Sequence, residues 1–113
     1  MKIINITRNI VLADNAVMAD TVLTRLRGLL GRNRLNDGEA LVIRPSNSIH
    51  MFFMRFAIDA IFVDKRNYAV AVRKNMRPWS VSPVFWKSFY VIELAAGVID
   101  ATGTCAGDEI TLL

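Results

Sequence analysis

One histidine, one arginine and two carboxylates set among apolar residues are where chemistry could reside in this chain. Arg55 and Asp59 lie within Ser48–Asp64, a stretch that also holds His50, two of the five methionines and four of the six phenylalanines. Glu93 is a third charge in an apolar run, Phe89–Leu94. A charge withdrawn from water needs a partner and hydrogen bonds. The guanidinium of Arg55 wants a planar acid, and Asp59 and Glu93 are the candidates. The expected site is a polar centre inside an apolar cup, with His50, Met54, Arg55, Asp59, Trp79 and Glu93 binding a ligand. Trp79 and Trp86 would rim it, since an indole supplies contact area and one donor. The plainer account of Arg55, Asp59 and Glu93 is a buried ion network with a purely structural role.

Other pairings are weaker. Asp59 and Glu93 could serve a small hydrolase acting on a carbohydrate-like or anionic substrate, because glycoside chemistry uses two carboxyls, but nothing in the sequence sets their separation. His50 with Met51 and Met54 suits a soft metal such as copper. Yet it is a single histidine without an acidic or thiolate ligand nearby, and methionine among aromatics is usually packing material, so no metal or cofactor is assigned. Cys105 sits in Thr104-Cys105-Ala106 with no neighbouring cation in sequence, which describes an unreactive thiol rather than a partner for His50. The partner expected is a small molecule or a peptide segment, bound without catalysis.

Composition narrows the class. Fourteen Lys and Arg against ten Asp and Glu give a net charge of +4, and the basic residues are spread thinly. With no cluster of them interleaved with aromatics, nucleic acid is not an expected partner. A single cysteine excludes an internal disulfide. The N-terminus lacks the apolar run and cleavage site of a signal peptide, and no stretch of about 18 apolar residues occurs. A cytoplasmic protein without a membrane span follows, folded as one domain over residues 1–113.

The elements that must position these side chains are mostly strands. Lys2–Thr7 is β-branched and crudely alternating, and Val11–Leu12 extends it. From Asp20 the period changes to helical: Val22, Leu23, Leu26, Leu29 and Leu30 form one stripe, with Asp20 as N-cap and Gly31 as stop. Ala40–Ile43 is a short apolar strand. Ser48–Asp64 is apolar at both parities, so it should be a strand buried on both faces, with Phe52 and Phe53 in the core. Ala60–Val63 and Tyr68–Val72 flank Asp64-Lys65-Arg66-Asn67 as a β-hairpin. A proline-bounded loop, a strand over Phe89–Leu94, a helical turn over Val98–Thr102 and a last strand over Glu109–Leu113 complete the chain. The expectation is a mainly β sandwich or barrel-like domain of six to seven short strands, with one helix over about residues 20–30 covering one side.

Several of these blocks carry a likeness. Thr24–Arg32, Gly38–Leu41, Ser48–Asp59, Val91–Gly97 and Gly107-Asp108 resemble, in order and spacing, the blocks of the domain of unknown function 192 family. The resemblance implies a compact β-rich domain with a helix after the first strand, and no activity. His50 and Pro78-Trp79 match one branch of that family, while Ala57 and Ala95 stand where many relatives have proline. Many relatives are exported, a property not carried over to a chain without a signal peptide.

Overall fold

A computed structural model describes residues 1–113 and resolves eight strands and two short helices. β1 (Ile3–Asn5) pairs antiparallel with β2 (Ile10–Ala13) and with β8 (Ile110–Leu112), making a three-stranded sheet ordered β2-β1-β8. β3 (Asn15–Ala19), β4 (Glu39–Ile43), β5 (Ile58–Asp64), β6 (Ala69–Met76) and β7 (Ser88–Ala95) form a five-stranded sheet ordered β3-β4-β7-β5-β6. The mainly β expectation holds, and the form is an open sandwich rather than a barrel.

β5 and β7 lie inside the larger sheet and are apolar on both faces, as buried strands require. One face, with Ile61, Val63, Ile92 and Leu94, packs on Ile3, Leu12 and Ile110 of the small sheet and on Ile99 of α2 (Val98–Thr102). The opposite face, with Ile58, Phe62 and Val91, is covered by irregular chain carrying Leu29, Leu35, Ile49, Met51 and Met54. The hairpin forms as expected, and Asp64 shapes its turn by accepting from the backbone N–H groups of Arg66 and Tyr68, at 2.9 Å each.

Three expectations are overturned. Residues 48–57 are not a strand: β5 begins only at Ile58, and the preceding segment makes no ladder with the proline loop beyond one β-bridge between His50 and Val81, although several other hydrogen bonds join the two. Met54 N–H donates to Met51 C=O, and that turn sends Ile49, Met51 and Met54 into the core while Phe52 and Phe53 face solvent. Secondly, the helix α1 runs only Val22–Arg27, and none of its residues is buried. Thr21, not Asp20, is its N-cap, in a reciprocal box with Thr24; Asp20 instead pairs with Arg44 at 3.5 Å. Gly28 ends it at φ +48°, before the expected Gly31. Its apolar stripe points outward at Val22, Leu23 and Leu26, and only Leu29, beyond the helix, is buried. Thirdly, Val11–Leu12 does not extend the first strand: β2 is a separate strand that turns back antiparallel to β1, and β3, which follows it, has no counterpart among the expected strands. β3 lies parallel to β4, with Asn15 opposite Glu39 and Ala19 opposite Ile43.

Candidate functional site

The register between β5 and β7 decides the fate of the two carboxylates. Asp59 lies opposite Leu94, and Glu93 lies opposite Ala60. Side chains alternate across a sheet, so Asp59 and Glu93 point from opposite faces of the same sheet. They cannot flank one substrate. The hydrolase reading loses its geometry.

Asp59 is buried against α2, and its carboxylate is fully engaged by backbone. Oδ2 accepts from Gly97 N–H at 3.1 Å and Ile99 N–H at 2.9 Å, while Oδ1 accepts from Asn75 N–H at 2.9 Å. It therefore holds the entry to α2, where Gly97 adopts φ +100°, onto an irregular residue of β6, Asn75 at φ +51°. Arg55 is exposed and donates to Asn33 Oδ1 at 2.9 Å, with no carboxylate within ion-pair distance. The expected network of Arg55, Asp59 and Glu93 does not form. A turn, rather than strand alternation, sets the direction in which Arg55 points.

Glu93 is different. It sits on the central strand β7 between Leu41 of β4 and Ala60 of β5, neither of which offers a side-chain donor. The residue is 5% exposed, and its carboxylate accepts no hydrogen bond and forms no ion pair with the protein. No fully enclosed side-chain polar atom in the structure lacks a partner, so the Glu93 oxygens keep contact with the adjoining cleft. Loss of solvation pushes its carboxyl up to about 7, because nothing nearby compensates the charge.

That cleft encloses about 300 Å³ between the α1 segment and residues 43–54. Val22, Leu26, Leu29 and Leu30 form one wall; Ile43, Ile49, Phe52 and Met54 form the other. His50 lies on the lining, its ring stacked on Phe52 at 4.9 Å between centroids. Arg25 spans the mouth, donating to Thr21 C=O at 3.3 Å and, across the gap, to Pro45 C=O at 3.4 Å. Of the expected site residues, His50, Met54 and Glu93 converge here. Trp79 stands outside, against Phe53 at 4.8 Å and Phe52 at 6.0 Å, while Arg55 and Asp59 lie elsewhere. Arg25, which in the sequence reads as a cation complementing the helix dipole, and the α1 wall were not among the expected site residues, although the apolar stripe of residues 22–30 was the available signal. Met51 and Met54 are packed in the core, as methionine among aromatics usually is.

Cys105 does meet a cation, contrary to its sequence neighbourhood. Arg8 donates to its Sγ at 2.9 Å and to Asp108 Oδ2 at 2.7 Å. Burial opposes ionisation of Asp108, but bonds from Asn5, Arg8 and the Cys105 N–H outweigh it and hold the carboxyl down at about 2. This cluster ties β1 to the turn before β8, on the far side from His50.

The raised value at Glu93 sets the sign of a pH effect. Its contribution to stability is fully present below the unfolded value of 4.5 and is lost as pH rises through about 7. Glu93→Gln, neutral throughout, is expected to match the wild type near pH 4 and to exceed it by roughly 3 kcal/mol near pH 8. Urea melts at the two pH values measure this; an unchanged difference between them would refute it.

The fold and the cleft define a two-sheet β domain with an open apolar pocket floored by one carboxyl. The chain belongs to the domain of unknown function 192 family, described as an uncharacterized ACR, which it matches over residues 3–112. A UPF0127 protein of Thermococcus sibiricus is 37% identical over 112 residues, covering 96% of this chain and 72% of the relative. Among solved structures, a protein of unknown function from Novosphingobium aromaticivorans superposes with a TM-score of 0.87 at 21% identity, covering 99% of this chain and 84% of the other. A putative transcription regulator from Sinorhizobium meliloti gives 0.78 at 19%, covering 97% and 89%. At those identities the likeness establishes the fold.

Proposed function

We propose that this is a noncatalytic binding domain whose cleft takes a small, largely apolar molecule with a hydrogen-bond donor at its inner end. Glu93 carries this reading. A carboxyl left without a protein partner at the floor of an apolar cleft gains most from a ligand that donates to it, and a protonated amine is the strongest such donor. Arg25 donates to two carbonyl groups across the mouth, while Glu93 is the carboxyl acceptor on the cleft lining. The cleft lies at the lower end of the size range of small-molecule sites. The lone exposed thiol of Cys105 fits a reducing compartment such as the cytoplasm.

Hexylammonium, hexanol and hexanoate titrated against the protein and followed by amide shifts test the reading. Shifts confined to the Glu93 strand, α1 and residues 43–54 are expected, strongest for the amine and weakest for the acid. Glu93→Gln should weaken the amine by about tenfold or more, the value of one charge-assisted hydrogen bond. Equal binding of hexanoate, or of hexylammonium to the variant, would sink it.

A further inference from the structure

The mouth of the cleft is surrounded by large apolar side chains that project outward instead of closing over it. On α1, Leu23 is 79% exposed and Leu26 70%. On the opposite lip, Phe53 is 70% exposed and Trp79 60%, packed on each other and on Phe52, which also lines the cleft. Both lips thus flank the same cleft, since Leu26 and Phe52 each line it, with Arg25 spanning the mouth between them. Isolated exposed apolar residues are ordinary; a continuous patch marks a contact surface.

The backbone holds the aromatic lip in place at a cost. Phe53 and Trp79 both adopt positive φ, +63° and +70°, a conformation that bulky L residues rarely take. Trp79 N–H donates to Met51 C=O and Met51 N–H to Ser80 C=O, at 2.7 Å each, so the two loops are locked together in that form. Strain that presents aromatic rings to solvent, rather than to the core, points to a use for those rings.

Charge identifies the partner. The three segments that build the face, residues 21–35, 44–57 and 77–87, contain no Asp or Glu, while each contains at least two Lys or Arg. Of these cations, Arg25, Arg27, Arg34, Arg55, Arg77 and Lys87 have no carboxylate within ion-pair distance. The acids are kept to the rest of the molecule. Projecting Leu, Phe and Trp side chains on segments whose cations mostly lack a carboxylate partner complement a bilayer with anionic headgroups, where indoles favour the interface and cations meet phosphates.

We infer that the cleft-mouth face, formed by α1 and the Phe52-Phe53 and Trp79 loops, docks the domain peripherally on an anionic lipid surface. No helix is long and apolar enough to cross a membrane, so the contact is interfacial. This stands apart from the role given to Glu93, and either can fail alone.

Flotation of the full chain with vesicles tests it. Partition onto phosphatidylcholine vesicles containing phosphatidylglycerol should exceed that onto phosphatidylcholine alone by about tenfold or more, and should fall in high salt. In a Trp86→Phe background, emission from Trp79 should shift to the blue and be quenched by brominated lipid. Leu23→Gln with Leu26→Gln, on a helix with no buried residue, and separately Phe53→Gly with Trp79→Gly, which relieve the positive φ, should each lower partition by about tenfold with melting temperature retained. If one pair impairs folding, the other still decides. Failure to float with anionic vesicles at low salt, partition unaffected by a folded variant pair, or capture of an acidic amphipathic peptide without any vesicle binding would overturn the inference.

Discussion

Phe62→Ala is expected to lower the free energy of unfolding by about 3 to 5 kcal/mol. Phe62 is wholly buried on β5, among the largest side chains that are, and its ring meets Phe85 at 4.6 Å between centroids. The cavity left behind lies between a central strand of the larger sheet and the irregular chain that covers it, so only the covering side can relax. Urea unfolding should show a lower midpoint with an unchanged slope. An unchanged midpoint would mean that this second core contributes little, and the support for the cleft floor would go with it.

Asp59→Ala should cost on the order of 4 kcal/mol. Three backbone N–H groups, from Asn75, Gly97 and Ile99, donate to this one carboxylate, and the Ile99 bond is buried. Bonds to a charged acceptor contribute about 1.5 to 3 kcal/mol each, and water reaching the emptied space offsets part of the sum. The loss has a local signature. Amide protons of residues 97–99 should exchange faster than those of β7, because α2 has no other side-chain cap. Unaltered protection in α2 together with an unaltered midpoint would show that the carboxylate is dispensable, and that Gly97 enters the helix unaided.

Much of the sheet was legible along the chain. The hairpin needed only two apolar runs and the Asp64–Asn67 turn; α2 needed only Gly97 and Gly103 at its ends. The strands β4, β7 and β8 read from short apolar runs bounded by turns. β3 was missed because Ala16, Val17, Met18 and Ala19 have no local partner. They pair in parallel with β4, some twenty-four positions away, as Asn15 opposite Glu39 shows.

Residues 48–57 show where local pattern stops being informative. Apolar residues at both parities are equally consistent with a buried strand and with an irregular segment folded over a sheet. The first puts Phe52 and Phe53 inside; the second leaves them out and swings Arg55 away from every carboxylate. Only the turn from Met51 to Met54 separates the two, and that turn is fixed by long-range bonds to Ser80 and Trp79.

By itself, then, the sequence determined the mainly β class and the fact that Glu93 is a charge in apolar surroundings, because composition and strand alternation are local properties; the family came from the resemblance of its ordered blocks, which the match over residues 3–112 bears out. The tertiary structure alone decided which charges meet. Asp59 and Glu93 look equivalent along the chain, yet the β5–β7 register turns them to opposite faces, one into three backbone N–H groups and the other into an open cleft. Register is set by contacts between strands distant in sequence, and a carboxylate's role depends on what the other strands bring to it.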